Sequence, residues 1–193
     1  DNLCRGKESY IENIKNKVFL NFNISNLNEC KEKINYLQEK YLIEEIWHMA
    51  ANSDIPAGVE DVRIDFENTF LTTYSLASCF KNKKPLRFFF ASSSAVYGNL
   101  GDKRISEDTG PLLPISNYGS MKLASEALLS SWVESNEVLL TIFRFPNVVG
   151  YPATHGVIYD FIKKLEKDNS KLNVLGNGKQ KKPYLLMDDL IDA

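Results

Sequence analysis

Two runs, residues 86–91 (Leu-Arg-Phe-Phe-Phe-Ala) and 138–145 (Val-Leu-Leu-Thr-Ile-Phe-Arg-Phe), constrain this chain more than any other feature. A strand with one wet face alternates apolar and polar residues. These runs are almost continuously apolar, the pattern of strands buried on both faces of a parallel sheet. Weaker runs at 18–22 and 43–49 read as two further strands. Helical patterns fill the intervals. Asn26 with Glu29 three residues later forms a capping-box pattern opening a helix to Lys40, with Ile34 and Leu37 on its inner face. Phe66, Phe70, Tyr74 and Ala77 recur as a helical stripe, and a third helix spans about 116–134. Strands alternating with helices predict an α/β fold with right-handed crossovers.

Composition narrows the function. The chain has 193 residues, 23 Lys+Arg against 25 Asp+Glu, and a net charge of −2. That balance gives no electrostatic reason for a nucleic-acid or membrane-surface partner. No apolar run reaches the roughly 18 residues of a membrane span, and no signal peptide is visible. Cys4, Cys30 and Cys79 are far apart without nearby His, which predicts free thiols, no metal site and a cytoplasmic setting.

Chemistry concentrates after the third strand. The strand ends in Ser92-Ser93-Ser94-Ala95-Val96-Tyr97-Gly98, poor core material at the carboxyl edge where parallel sheets bind ligands. A long loop, 98–117, leads to Tyr118-Gly-Ser-Met-Lys122. On a helix this spacing places phenol and ammonium one turn apart. A cation about 4 Å away at an effective dielectric near 20 contributes about 4 kcal/mol, or roughly three pKa units. Lys122 is therefore expected to pull the Tyr118 phenol down from near 10 towards a working acid/base. Tyr36 with Lys40 and Tyr159 with Lys163 share the spacing, so context selects Tyr118. His48 reads as a structural, neutral strand-end histidine, and Trp47 and Trp132 as packing aromatics.

The serine-rich strand end followed by Tyr-x-x-x-Lys resembles the extended short-chain dehydrogenase/reductases, and within them the NAD-dependent epimerase/dehydratase family. The resemblance extends along the chain. Asp1 and Asn2 resemble the end of a second strand whose acidic residue holds the adenosine ribose. Asn23 and Ile24 stand where an Asp-Ile/Leu pair borders adenine. His48-Met49-Ala50-Ala51, Asn68, and Arg144 to Gly150 match further motifs, as do the Gly176–Gly178 segment and the stretch from Tyr184.

This resemblance implies a Rossmann-like parallel sheet with helices on both faces and part of a smaller substrate-binding lobe. The implied divisions are 1–146 for cofactor binding, 147–182 for the lobe, and 183–193 for a returning strand and the start of a helix. It implies NAD as cofactor, held by Asp1, Asn2, Asn23, Ile24, Met49, Ala50, Ala51, Asn68, Ser92, Tyr118, Lys122 and Phe145. Ser93, Tyr118 and Lys122 would be catalytic. Ser93, Ser94, Asn147 and Lys182 would bind a nucleotide-sugar. Homodimerisation through helices at 63–81 and 116–134 is also implied. Positions 94–95 carry no carboxylate, whereas related 4,6-dehydratases place Asp-Glu there, which favours a 4-epimerase like UDP-glucose 4-epimerase. A dehydratase, reductase or decarboxylase is the alternative, and a non-catalytic nucleotide-binding module the other class.

Four departures accompany the match: Asn23 for Asp, Ser53 for a cofactor-side Lys, Lys182 for a diphosphate-clamping Arg, and Gly156-Val157-Ile158 where the substrate helix is expected to carry Asn-Leu. Arg5 near Asp1 could meet a 2′-phosphate, but Asp1 favours NAD over NADP. The glycine-rich phosphate loop expected before Asp1 is absent from the sequence. The expectation is a piece of a longer two-lobe enzyme, inactive alone.

Overall fold

The computed structural model describes residues 1–52, 54–80, 83–151, 153, 156–174 and 176–193. Ser53 and His155 lie outside the described residues. The chain forms two compact units, Asp1–Phe145 and Pro146–Ala193.

The first unit is built on a three-stranded parallel sheet, β1 (Glu45–His48), β2 (Arg87–Ser93) and β3 (Leu139–Phe145), in the order β1-β2-β3. The register aligns Ile46 with Phe88 and Phe88 with Leu140. Helix α1 (Leu27–Lys40) precedes β1, and the Asn26 side chain accepts from Glu29 N–H as the capping pattern predicts. Short helices α2 (Ile55–Glu60) and α3 (Val62–Asp65) lead through a π-helical stretch, Phe66–Phe70, into α4 (Leu71–Ser78). Helix α5 (Asn117–Asn136) connects β2 to β3.

Helices α1, α4 and α5 meet one face of the sheet. Cys30, Ile34, Leu76, Phe80 and Leu129 join Ile46, Phe88 and Phe90 in the core. Phe80, Phe88 and Phe90 are fully buried, each stabilising the fold by about 1.5–3 kcal/mol. Burial is not symmetric, contrary to what the continuous apolar runs predict. The other face carries a stacked ladder. Trp47 lies 4.1 Å from Phe89, Phe89 lies 6.2 Å from Phe143, and Phe143 lies 5.4 Å from Phe145. Trp47 remains 57% exposed, so it stacks on the surface, while Trp132 packs edge-on against Phe88 in the core.

Two further expectations need correction. The run 18–22 is extended but forms no ladder. Phe22 N–H donates to the Asp1 carbonyl and the Asp1 amine to the Leu20 carbonyl, and the segment is held otherwise by packing of Leu20 and Phe22 on the core. The Phe66/Tyr74 stripe faces outward. The inward side carries Asp65, Thr69, Thr72, Thr73, Leu76 and Ala77 instead. A π turn takes an extra residue, which rotates the faces before and after it out of the 3.6-residue phase. The inward threonines are satisfied locally, since Thr72 and Thr73 donate to the Thr69 carbonyl.

In the second unit, β4 (Asn147–Val149) pairs in parallel with β5 (Tyr184–Leu186), a two-stranded sheet of its own. Helix α6 (Val157–Lys167) lies between them in sequence, and α7 (Met187–Asp192) follows β5. Among the described residues, no helix is long and apolar enough to cross a membrane.

Candidate active site

The site grows from the carboxyl end of β2. Ser93 ends the strand, and its hydroxyl accepts from Ala95 N–H at 3.2 Å, capping a single 3-10 turn over Ser94–Tyr97. The loop then returns to Ser116, whose hydroxyl accepts from Gly119 N–H at 3.1 Å and opens α5. Gly119 lets the two turns touch. A Cβ there would lie 2.7 Å from the Ala95 carbonyl oxygen, closer than carbon can approach. A glycine between Tyr118 and Lys122 is thus what lets the first turn of α5 sit against the end of β2.

Tyr118 and Lys122 face inward from that turn. Lys122 is 2% exposed. Its ammonium donates to the Ala91 carbonyl and lies 4.8 Å from the Phe90 ring centroid and 5.8 Å from that of Tyr118. The other two Tyr-x-x-x-Lys pairs differ. Lys40 is exposed and donates to an exposed Tyr36, while Lys163 is exposed and paired with Glu166 at 2.7 Å. The pair with a buried lysine and a half-buried tyrosine is the one that sequence context selects.

The electrostatics reverse one expectation. Burial pushes the Tyr118 phenol above its ordinary value near 10; hydrogen bonding with Ser93 opposes this, and the Asp65 carboxylate adds to it. Lys122 does not bring the phenol down. Its ammonium is turned to the Ala91 carbonyl, and burial lowers its own pKa to about 8 against the opposing pull of Glu126. Tyr118 is therefore a protonated phenol at neutral pH, poised to donate. His48 is neutral: burial, then the Lys122 charge, lower it to about 3, and Nε2 lies 2.9 Å from Thr73 Oγ1.

A buried network missed from the sequence supports this edge. Glu126, one turn beyond Lys122, accepts from the Ser92 hydroxyl and from Arg144 in a fork, with Nη2 at 2.8 Å. Arg144 also donates to the Tyr97 hydroxyl at 3.2 Å and the Glu107 carbonyl at 3.0 Å. The hydrogen bond to Glu126 raises Arg144 further above its ordinary range. Ser92 thus has its hydroxyl committed to the protein interior rather than free for a ligand. The i, i+4, i+8 spacing of Tyr118, Lys122 and Glu126 was the available signal. Asp65, 1% exposed, is a second missed residue. Its Oδ1 accepts from Asn52 at 2.7 Å, and its Oδ2 has no hydrogen-bond partner among the described residues.

The remaining candidates occupy varied places. Met49 and Ala50 are exposed at the carboxyl end of β1, Ala51 is half-buried, and Asn68 is half-buried on the π-helical stretch. Ser94 is half-buried in the 3-10 turn, and Phe145 ends the aromatic ladder. Asp1 and Asn2 are exposed and accept from Leu3 N–H at 2.6 Å and Cys4 N–H at 3.2 Å. Asn23 accepts from Ser25, and Ile24 packs on the core. Arg5 pairs with Asp54 at 2.7 Å, so it is committed within the chain. Asn147 and Lys182 belong to the second unit, where Asn147 donates to the Pro183 carbonyl at 3.3 Å and Lys182 is exposed. The described residues hold no cluster of three metal-ligating side chains.

Known proteins resemble the chain in sequence and fold. The chain is 29% identical over 175 residues to a dTDP-D-glucose 4,6-dehydratase of Dictyostelium discoideum, covering 84% of this chain and 40% of that one. It is 28% identical over 168 residues to a UDP-glucose 4-epimerase of Lactobacillus helveticus, covering 78% and 50%. A crystal structure of UDP-galactose 4-epimerase superposes with a TM-score of 0.84 at 27% identity, covering 100% of this chain and 60% of that one. The chain thus spans about half the length of the curated relatives it matches. Residues 3–193 match the family profile, a span that includes β2, the serine-rich turn, Tyr118 and Lys122, and the chain belongs to the NAD dependent epimerase/dehydratase family.

Proposed function

We propose that the full-length protein is an NAD-dependent nucleotide-sugar 4-epimerase. The observation that carries this reading is the half-buried Tyr118 and buried Lys122 set against Ser93 at the carboxyl end of a parallel strand. The donor set suits the cofactor. A buried ammonium with one proton committed to Ala91 has others for a ribose diol, and Met49 and Ala50 are exposed at the carboxyl end of β1. Asp1, Asn2, Asn23, Ile24, Ala51, Asn68 and Phe145 complete the proposed cofactor contacts, with Ser92 contributing through its backbone. Bound NAD supplies the hydride acceptor, and later the donor, at the sugar carbon.

The chain's own residues handle the proton and the orientation. Ser93 holds the sugar C4 oxygen by a hydrogen bond. Tyr118 first gives up its phenol proton to solvent; as the phenolate it takes the hydroxyl proton while the C4 alcohol becomes a ketone, and returns that proton when the ketone is reduced on its other face. The proton count over a cycle is therefore zero. Because the phenol is raised, its deprotonation limits the oxidative half, and turnover climbs with pH through neutrality. Ser94, Asn147 and Lys182 bind the nucleotide-sugar, Lys182 as a point charge on the diphosphate. The protein works in the cytoplasm as a homodimer. The exposed Phe66 and Tyr74, with Phe66 stacked on Phe70 at 5.8 Å, offer a second copy an apolar surface.

A 4,6-dehydratase is the second reading, favoured by the Dictyostelium discoideum relative. The absence of a carboxylate at Ser94-Ala95 argues against it. One experiment separates the two. The full-length protein with NAD is offered UDP-, GDP-, CDP- and dTDP-sugars, and products are read by mass and by epimer chromatography. An epimer of unchanged mass supports the proposal, and loss of water establishes the dehydratase. Tyr118→Phe should lower turnover at least about 100-fold with NAD still bound; unchanged turnover would sink the assignment. Light scattering of the full-length protein reads the dimer, and a monomer refutes it.

A further inference from the structure

The reaction proposed above uses none of the cysteines, yet two of them meet. Cys30 on α1 and Cys79, the residue after α4, are 49 positions apart in sequence with their sulfurs 3.5 Å apart. We propose that Cys30 and Cys79 are a redox-active pair that closes to a disulfide when the protein meets a hydroperoxide. A disulfide brings sulfurs to about 2.0 Å, so the pair is about 1.5 Å short of bonding.

The surroundings give the two thiols different roles. Cys30 is fully buried, while Cys79 is 9% exposed. Cys79 forms part of the wall of a surface groove of about 440 Å³, together with Lys31, Lys83, Ser78 and Asn35. Cys79 is thus the thiol nearer the surface and the one assigned to meet the peroxide, with Cys30 behind it. In the dithiol the Cys79 thiol donates to the Ser75 carbonyl at 3.1 Å and lies within reach of the Cys30 sulfur. Once Cys79 ionises, the Cys30 thiol can donate to it, which eases ionisation of Cys79 and hinders that of Cys30; Lys31 acts on Cys79 in the same direction, and Glu29 adds to the effect on Cys30. A thiolate beside a cation is the reactive form of cysteine, in contrast to an inert buried thiol.

The chemistry balances with the hydroperoxide as the two-electron oxidant. The Cys79 thiolate attacks the outer peroxide oxygen. The O–O bond breaks, an S–O bond forms, and the alcohol or water leaves after taking a proton. The Cys30 sulfur then attacks the resulting sulfenic sulfur. An S–S bond forms, the S–O bond breaks, and hydroxide leaves as water with the Cys30 proton. A dithiol reductant reverses the bond by exchange.

The test treats the full-length protein with hydrogen peroxide, then alkylates it unfolded and maps the peptides by mass spectrometry. The expected result is loss of both Cys30 and Cys79 from the alkylated pool, a cross-linked pair of peptides containing them, and recovery of both thiols with dithiothreitol. Cys4, exposed, serves as the reference thiol. Cys30→Ser removes the resolving thiol, so Cys79 should then accumulate a dimedone adduct that wild type lacks. The proposal is overturned if Cys30 and Cys79 remain alkylatable at peroxide doses that oxidise Cys4. It is also overturned if Cys30→Ser gives no adduct at Cys79.

Discussion

Replacing Lys122 with methionine removes a buried charge while keeping most of the side chain's length. Burial lowers the ammonium from 10.5 to about 8. That drop of about 2.5 units, at 1.36 kcal/mol each, means that holding the charged form in the folded state at neutral pH costs about 3 kcal/mol. Methionine relieves this but leaves the Ala91 carbonyl without its donor, which costs about 1–3 kcal/mol. The variant should therefore equal wild type at pH 7 or exceed it by up to about 2 kcal/mol, although its site has lost its cation. The pH dependence is the sharper test. Between pH about 8 and 10.5 the unfolded chain holds a proton that the folded chain has released, so this group makes wild-type stability rise with pH across that window. Below about 8 both states hold the proton and the penalty is complete. The methionine variant lacks the rise. Urea unfolding of the full-length protein, followed by far-ultraviolet circular dichroism at pH 7, 8, 9 and 10, measures both quantities. A loss of more than about 1 kcal/mol at pH 7, or equal slopes in the two proteins, refutes the reasoning.

On the acid side His48 acts in the same way: its folded pKa of about 3 lies below the usual 6.5, so stability is complete above 6.5 and falls as pH drops, by up to about 1.4 kcal/mol per unit. His48→Gln should flatten that fall in unfolding titrations between pH 6.5 and 3. Gly58→Ala should destabilise by about 2 kcal/mol or more, because the new Cβ would lie 1.9 Å from the buried Asp65 Oδ2; in an Asp65→Ala background the same change should cost less. Oxidation of Cys30 and Cys79 closes a loop of about 50 residues and should raise stability by about 4 kcal/mol in the chain-entropy account, read as a higher urea midpoint that dithiothreitol abolishes.

The sheet was legible because runs as apolar as 86–91 and 138–145 have few places to go. The α1 start was legible because Asn26 and Glu29 act within one turn. Tyr118 and Lys122 were legible because their spacing and the preceding serines are local signals. What escaped depends on the third dimension. The inward face of the helix after residue 62 is threonine-rich and polar, satisfied through the Thr69 carbonyl, and a π turn resets its phase. No local rule reports that. Pairwise spacing also placed the Lys122 charge near the phenol without showing that burial would outweigh it, or that Ala91 would claim the ammonium. Glu126 and Asp65 went unread because a carboxylate on a helix is ordinarily a solvated one.

The aromatic ladder gives the sheet an optical asymmetry. Trp47 stacks on Phe89 with over half its surface in water, while Trp132 is wedged against Phe88 on the opposite face. The molecule therefore carries one emitter for each side of β2. Any segment or partner that covers the ladder would shift the Trp47 emission to the blue and shield it from iodide, leaving Trp132 as an internal reference. Single Trp→Phe variants would separate the two signals and make the covering of that face a measurable event.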